Sequence, residues 1–155
     1  MTDIEKLKKA AQENASDPEA HFLFGQANMN ENQHQEAMDA FKKTIALSPD
    51  HAPAHFFLAK VFDVFKRYDE MIDAFQEAAY LAPDWAEAHY NLGLSFLVLG
   101  RPEEGIPPFK EAIRIEPEMA EAHQGLAVVY QMTGQAELSG EHSQKAIELE
   151  PRFQK

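Results

Sequence analysis

The chain has 155 residues, no cysteine, 45% apolar residues and a formal net charge of −12, a size that suits one domain with a sizeable core. The lack of cysteine excludes disulfides and thiolate metal sites, and the excess of 26 acidic over 14 basic residues argues against nucleic-acid or anionic-membrane partners, which need clustered Lys and Arg. No apolar run approaches the roughly 20 residues that cross a bilayer, and the first residues lack a signal-peptide pattern, so we expect a cytoplasmic protein without membrane insertion.

The first predicted element is a short amphipathic helix over residues 3–14. Its apolar side chains fall on one stripe at helical spacing, and these are Ile4, Leu7, Ala10 and Ala11. The segment resembles the second half of a repeat whose first half is missing. We therefore expect residues 1–17 to cap the repeats that follow.

The remainder of the chain contains a pattern with a period of 34 residues. It is carried by four prolines and four histidines, which are Pro49, Pro83, Pro117 and Pro151, and His21, His55, His89 and His123. A fixed period of this length is typical of stacked repeats. We predict four repeats, over residues 18–51, 52–85, 86–119 and 120–153.

Each repeat is predicted to hold two helices, helix A and helix B. When every repeat is numbered from its first residue, positions 4, 7, 8 and 11 follow the i, i+3, i+4, i+7 spacing of an amphipathic helix, and positions 20, 24, 27 and 28 do so again. Between the helices, Asn32, Gly100 and Gly134 suit a left-handed helix end, whereas Lys66 does not. The proline at position 32 cannot continue helix B and ends the repeat.

Helix B is irregular in the last two repeats. In repeat 3, Pro107 and Pro108 fall inside the helical pattern, where proline removes backbone hydrogen bonds, so we expect a kink or a late helix start near Pro107. In repeat 4, Ser139, Gly140 and Ser143 replace larger apolar residues. That change suits a terminal helix with a more hydrated face.

The pattern resembles the tetratricopeptide repeat family, whose repeat reads W-x₂-L-G-x₂-Y, then A-x₃-F, then P over 34 residues. Repeat 3 matches it with His in place of Trp, through His89, Leu92, Gly93, Phe96, Phe109, Ala112 and Pro117. The resemblance covers residues 18–153. It implies an all-α fold, a right-handed α-solenoid of four helix–turn–helix repeats with an N-terminal capping helix, in one domain.

We predict no catalytic residues, no cofactor and no metal site. Nucleophile and phosphate-binding motifs are absent from the sequence, and the carboxylates lie at helical spacing on solvated faces. Equivalent histidines of stacked helices should stand about 10 Å apart, whereas zinc needs its ligand nitrogens about 2 Å from one ion. His51 and His55 are i, i+4 neighbours, but Pro53 lies between them and no third ligand is evident. We expect the four periodic histidines to be buried and neutral, with a folded-state pKa below the usual value of about 6.5.

A second stripe on helix A, at positions 2, 5, 9 and 12, lies roughly 130° from the core stripe. In the family that the chain resembles, this stripe lines the concave groove of the array. An apolar strip on a solvated face is typical of an interaction site; the alternative is that these side chains pack between neighbouring A helices. We predict a groove for an extended peptide or a helix, formed by Phe22, Gln26, Met29, Phe56, Lys60, Asp63, Tyr90, Leu94, Leu97, Gln124, Val128 and Gln131.

Two binding modes of the family are disfavoured by these residues. Members that clamp a terminal carboxylate use Lys, Arg and Asn on helix A, but Phe22 and Gln26 stand where Lys and Asn would be expected, and Lys60 alone is no substitute. Members with an asparagine ladder carry Asn at position 6, and only Asn91 does so in this chain. The sequence thus predicts a protein partner without naming it.

The favoured function is a non-catalytic protein-interaction module or scaffold that binds a peptide or helix of a partner protein. Two alternatives remain open. The chain could be a self-assembling unit whose apolar surfaces meet copies of itself, or the tetratricopeptide domain of a larger protein.

Overall fold

The computed structural model describes residues 2–154, which form α-helices and one short 3₁₀ turn and contain no strand. The predicted all-α helical-repeat class is confirmed. The elements are α1 (Asp3–Glu13), α2 (Pro18–Asn30), α3 (His34–Leu47), α4 (Ala52–Val64), α5 (Tyr68–Leu81), α6 (Ala86–Val98), α7 (Pro102–Ile115), α8 (Ala120–Met132), α9 (Ala136–Leu149) and a C-terminal 3₁₀ turn (Pro151–Gln154).

The helices group into two compact units, an N-terminal unit (Met1–Leu81) and a C-terminal unit (Ala82–Lys155). In the N-terminal unit each helix packs on the next, from α1 through α5. In the C-terminal unit α6 packs on α7, α7 on α8 and α8 on α9, while α6 also touches α8. The division of residues 18–153 into four repeats of one domain stays a prediction.

Local sequence signals set the start of the first two helices. Thr2 accepts a hydrogen bond from the backbone N–H of Glu5, whose carboxylate accepts one from the backbone N–H of Thr2, so α1 begins with a complete capping box. Asp17 caps α2 through the backbone N–H of Glu19, and Pro18 occupies its first turn. α1 packs against α2, as expected for a capping helix, and buries only Ala11.

The turns that follow α2, α4, α6 and α8 share one backbone conformation. Asn32, Lys66, Gly100 and Gly134 have φ values of 57°, 56°, 70° and 75°. The expectation that Lys66 departs from the pattern was wrong, because the tight connection imposes the left-handed conformation on whichever residue occupies this position. Lysine adopts it at a cost that glycine does not have.

The expectation of a late helix start near Pro107 was also wrong, whereas a kink there stays a prediction. α7 is continuous from Pro102 to Ile115, with Pro107 and Pro108 inside it. The two prolines leave the carbonyl oxygens of Glu103 and Glu104 without an intrahelical donor. Both glutamates are exposed, so water can bind those carbonyls and the helix continues.

The core of the C-terminal unit is built around Phe109, which is fully buried with Leu126, Val129 and Tyr130. Glycines on two helices make room for its ring. A Cβ added at Gly93 on α6 would lie 2.8 Å from the ring, and one added at Gly125 on α8 would lie 2.5 Å from it. These contacts are too short for any side chain, so the two glycines allow α6, α7 and α8 to close around one aromatic ring.

The left-handed turn predicts that Lys66→Gly stabilises the protein. Removing the Cβ from a residue at φ 56° should raise the free energy of unfolding by about 1 kcal/mol, and the melting temperature by about 2–4 °C. Gly100→Ala, at an equivalent turn with no atom near the added Cβ, is the matched control and should lower stability by a similar amount. A Lys66→Gly variant that melts at or below the parent temperature would contradict the backbone argument.

The packing around Phe109 predicts that Gly125→Ala destabilises the C-terminal unit by about 1–3 kcal/mol, because the buried ring has no space to move into. Gly140 on α9 is the control, since an added Cβ there meets nothing within 4 Å. Gly140→Ala should raise stability by about 0.5–1 kcal/mol through helix propensity alone. Urea unfolding of the two variants beside the parent measures both effects, and equal stability of the two would refute the close packing.

Candidate functional site

The predicted groove residues of the N-terminal unit divide into buried aromatic and surface side chains. Phe22 and Phe56 are 7% and 1% exposed. Phe22 lies 5.8 Å from the Phe41 ring and 4.7 Å from the His51 ring, and Phe56 lies 5.4 Å from the Phe75 ring, measured between centroids. These two residues belong to the core of the unit, as the alternative of packing between helices supposed, and they are not available to a partner.

The other four predicted residues of this unit lie at the surface. Gln26, Met29 and Lys60 are half-buried, and Asp63 is exposed. The Lys60 ammonium stands 4.7 Å from the centre of the Phe56 ring, a cation–π contact that covers the ring with the lysine side chain. This part of the stripe is mixed and mostly polar, so it offers little apolar area.

The predicted residues of the C-terminal unit form a more apolar surface. Tyr90, Leu94 and Leu97 on α6 are half-buried and pack their inner sides against the Phe109 cluster. On α8, Gln124 and Val128 are half-buried and Gln131 is exposed. The Phe109 cluster therefore holds the α6 side chains rigidly while their outer sides remain accessible.

Two strongly exposed apolar residues extend this surface, and the sequence reasoning missed them. Val98 and Met132 are 69% and 55% exposed. Each is the last residue of its helix A, at position 13, where it follows position 9 by four residues and so shares the face of positions 5, 9 and 12. The signal in the sequence that could have revealed them is an apolar residue at position 13 of three predicted repeats, namely Val64, Val98 and Met132.

We use the name α6–α8 face for these residues and the glutamate at position 2 of each helix. At 100° per residue all five positions of one helix fall within about 100° of arc, and α6 and α8 are in contact. The members are Glu87, Tyr90, Leu94, Leu97 and Val98 on α6, and Glu121, Gln124, Val128, Gln131 and Met132 on α8.

The helix-start end of the α6–α8 face is acidic. Glu121 accepts a hydrogen bond from the Arg152 guanidinium at 2.5 Å, and Arg152 also pairs with Glu150 at 2.8 Å. Burial raises the pKa of the Tyr90 hydroxyl, the nearby Glu121 carboxylate raises it further, and Arg152 opposes both. Tyr90 is therefore neutral at physiological pH, and its hydroxyl, which can donate and accept hydrogen bonds, lies near the Glu121 carboxylate.

The periodic histidines hold the loops that precede each helix A. In every repeat the Nε2 atom lies 2.9–3.1 Å from the carbonyl oxygen six residues earlier. The acceptors are Ala15, Pro49, Pro83 and Pro117. His123, whose ring is also in contact with His142, is buried as expected, whereas His21, His55 and His89 are only half-buried.

Other features of the described chain bear on metal and membrane binding. Among residues 2–154 no group of three or more His, Asp or Glu side chains is placed to hold a metal ion. His51 accepts a hydrogen bond from the backbone N–H of Ala54, while His55 bonds to Pro49, so the two i, i+4 rings engage different partners. No helix in the part that the structure describes is long and apolar enough to cross a membrane.

A second histidine, His142 on α9, contacts the last of the four periodic histidines, His123. The Nδ1 atoms of His123 and His142 are 3.0 Å apart, and the His142 ring also lies 5.7 Å from the Tyr130 ring. Because the Pro117 carbonyl can only accept, His123 carries its proton on Nε2 and accepts on Nδ1, and His142 donates from Nδ1. Burial lowers the pKa of His142, and His123 lowers it further, with Glu141 opposing the shift and Lys110 adding to it.

Two family models match the chain. The tetratricopeptide repeat model matches residues 81–120 and 90–151, and the model of the anaphase-promoting complex, cyclosome, subunit 3 matches residues 4–78. The chain belongs to the tetratricopeptide repeat family. Together the two models span both units, so the resemblance seen in the sequence is confirmed.

Solved structures with the same fold include several of the protein MamA. One crystal structure of MamA has a TM-score of 0.90 and 26% sequence identity, covering 96% of this chain and 87% of the MamA chain. MamA residues 41 to the end from Desulfovibrio magneticus RS-1 give a TM-score of 0.86 and 29% identity, covering 96% of this chain and 84% of that chain. A comparison with curated proteins gave no match. This tetratricopeptide repeat protein is thus a protein-interaction or scaffold module in its general class.

The histidine pair predicts that stability falls on mild acidification. The folded-state pKa of His142 lies below its ordinary value, so the unfolded chain binds the proton more readily. The contribution is fully present above about pH 6.5 and is lost as the pH falls through that value. The parent should melt at a lower temperature at about pH 5.5 than at about pH 7.5, and His142→Gln should reduce the difference.

The matched control for this measurement is His21→Gln, which removes a ring bonded to a loop carbonyl but not to a second histidine. It should lower stability at both pH values without reducing the difference. An equal pH effect in the parent and in His142→Gln would contradict the assignment to the histidine pair.

Proposed function

We propose that this protein binds a segment of a partner protein on the α6–α8 face. The observation that carries the proposal is the exposure of Val98 and Met132, which share helix faces with the half-buried Leu94, Leu97 and Val128. Contiguous exposed apolar side chains on a rigid support are characteristic of interaction sites. The partner segment is an amphipathic helix or an extended peptide that lies along the two helices.

The packing of the face favours specific binding over loose adhesion. Tyr90, Leu94 and Leu97 already contact the Phe109 cluster, so a partner orders few additional side chains when it binds. Low entropic cost of this kind raises affinity for a given buried area. Val98 and Met132, which are exposed at the ends of their helices, would supply the largest newly buried apolar area.

The predicted residues of the N-terminal unit have a smaller role in this proposal. With Phe22 and Phe56 in the core, the surface residues are Gln26, Met29, Lys60 and Asp63. These side chains suit polar contacts of a second, weaker site. We therefore place the main binding energy on the C-terminal unit.

Self-association is the second candidate function. The same exposed Val98 and Met132 could pack against those of another copy in a symmetric pair. The two candidates use one surface but differ in the mass of the pure protein, which is that of a monomer if the partner is another protein.

The test compares two double variants of the full chain as bait in a native lysate. Val98→Asp with Met132→Asp places charges in the proposed face, and both residues are exposed enough to leave folding intact. Removing two apolar anchors should weaken binding by at least about tenfold. The control is Tyr80→Asp with Leu138→Asp, two exposed apolar residues on the B helices α5 and α9.

A partner that is retained by the parent and the control but lost by the face variant supports the proposal. A partner retained equally by all three places the binding site elsewhere and refutes it. Light scattering on each bait gives the mass in the same experiment. A dimeric parent with a monomeric face variant would move the function to self-association.

A further inference from the structure

We infer that the partner segment on the α6–α8 face is basic, with apolar side chains at one end and Lys or Arg at the other. The inference rests on the proposed function and adds the chemistry of the partner to it. It follows from the order of the residues along α6 and α8, from their charges, and from the pairing of the basic residues in the C-terminal unit.

The face changes from acidic to apolar along its length. On α6 the order is Glu87, Tyr90, Leu94, Leu97 and Val98, so the carboxylate and the last apolar side chain are separated by about 16 Å of helix. The parallel order on α8 begins with Glu121 and ends with Met132. Both helices start with the acidic residue, and the Glu121 carboxylate at the start of α8 acts on the Tyr90 hydroxyl near the start of α6, so the acidic ends of the two helices lie on the same side of the face.

Neither helix contains a Lys or an Arg. The sequences of α6 and α8 each carry a glutamate in the first turn and no basic residue. A carboxylate-bearing segment laid on this face would meet like charges and no cation from the helices themselves. The binding preference is therefore opposite to that of family members that clamp a terminal carboxylate.

The basic residues around the face are already engaged. In residues 82–154, four of the five Lys and Arg residues form ion pairs within the unit, namely Arg101, Arg114, Lys145 and Arg152. Arg152 is the one that reaches the face, and it is shared between Glu121 and Glu150. One guanidinium between two carboxylates leaves negative charge in excess at this end of the face.

The pair between Glu121 and Arg152 also indicates which group fits there. A guanidinium approaches Glu121 to 2.5 Å while Tyr90 lies close enough for its hydroxyl to respond to both charges. Planar cations pair well with a carboxylate in such a setting. A partner Arg or Lys would join or displace Arg152, while its apolar residues about 16 Å further along would cover Val98 and Met132.

The charge of the whole chain acts in the same direction. A net charge of −12 attracts a basic segment over distances of about a Debye length, roughly 8 Å at physiological salt. Association with such a segment is faster at low salt, whereas association with an acidic segment is slower. The salt dependence of binding is therefore a second reporter of the partner's charge.

The test is a selection from a phage-displayed library of random peptides about 16 residues long, which span about 24 Å as a helix. The full chain is the bait, and a Val98→Gln, Met132→Gln variant, which removes the two apolar side chains without adding charge that would attract a basic peptide, is used for counter-selection. The enriched sequences should carry net positive charge together with apolar residues. Synthetic peptides from that pool are then titrated by fluorescence anisotropy at low and physiological salt, where binding should weaken with added salt.

Glu87→Gln with Glu121→Gln should weaken the selected peptides by about fivefold, the effect of two surface charges. The matched control is Glu103→Gln with Glu137→Gln, which removes two glutamates from the first turns of the B helices α7 and α9 and leaves affinity within about twofold.

Two other results would overturn the inference, and they differ in what they say of the proposed function. Neutral or acidic peptides that bind the parent and not the counter-selection variant would refute the basic partner and leave the α6–α8 face as the binding site. Peptides that bind both baits equally, or a library without enrichment, would refute the face as well.

Discussion

The hydrogen bond from a histidine ring to the carbonyl oxygen six residues earlier joins the first turn of each helix A to the loop that precedes it. It occurs at His21, His55, His89 and His123, with distances of 2.9–3.1 Å. In three of the four the carbonyl belongs to the proline that ends the preceding helix B. The two residue types that recur every 34 positions are therefore partners in one interaction. Proline stops the helix because it lacks an N–H, and its carbonyl remains available for the next repeat.

The contrast between the two units follows from where their aromatic residues lie. In the N-terminal unit, Phe22, Phe41 and Phe57 pack together, with ring centroids 5.7–5.8 Å apart. Phe22, at position 5 of the predicted groove stripe, is therefore part of the core. In the C-terminal unit the ring of Phe109 lies between Gly93 and Gly125 and packs with Tyr130 of α8, while position 5 of α8, which is equivalent to Phe22, is Gln124. The aliphatic residues of α6 and α8 consequently remain near the surface, and this is the origin of the α6–α8 face.

Much of the fold could be predicted from the sequence because a 34-residue period sums weak signals over four repeats. Features that depend on a single position could not. Lys66 adopts a left-handed turn that its residue type disfavours, since the neighbouring helices impose it. Pro107 remains helical because the carbonyl it leaves free belongs to a solvent-exposed turn. The exposure of Val98 and Met132 depends on whether neighbouring elements cover them. Helical periodicity indicates on which side of a helix a residue lies, but not how much of its side chain is buried.

At the turns after α4 and α6, an arginine pairs with the glutamate three residues later and lies over an aromatic ring of the preceding helix. Arg67 pairs with Glu70 and lies 4.8 Å from the Phe62 ring, and Arg101 repeats this with Glu104 and Phe96 at 5.1 Å. In the first and last α-helices of the described chain, α1 and α9, a single residue each is buried, Ala11 and Ala146. Repeat proteins lose structure where neighbouring interfaces are weakest. Amide protons of α1 and α9 should therefore exchange with solvent first. These two helices unfold locally, while the helices next to the arginine–glutamate pairs remain protected from exchange.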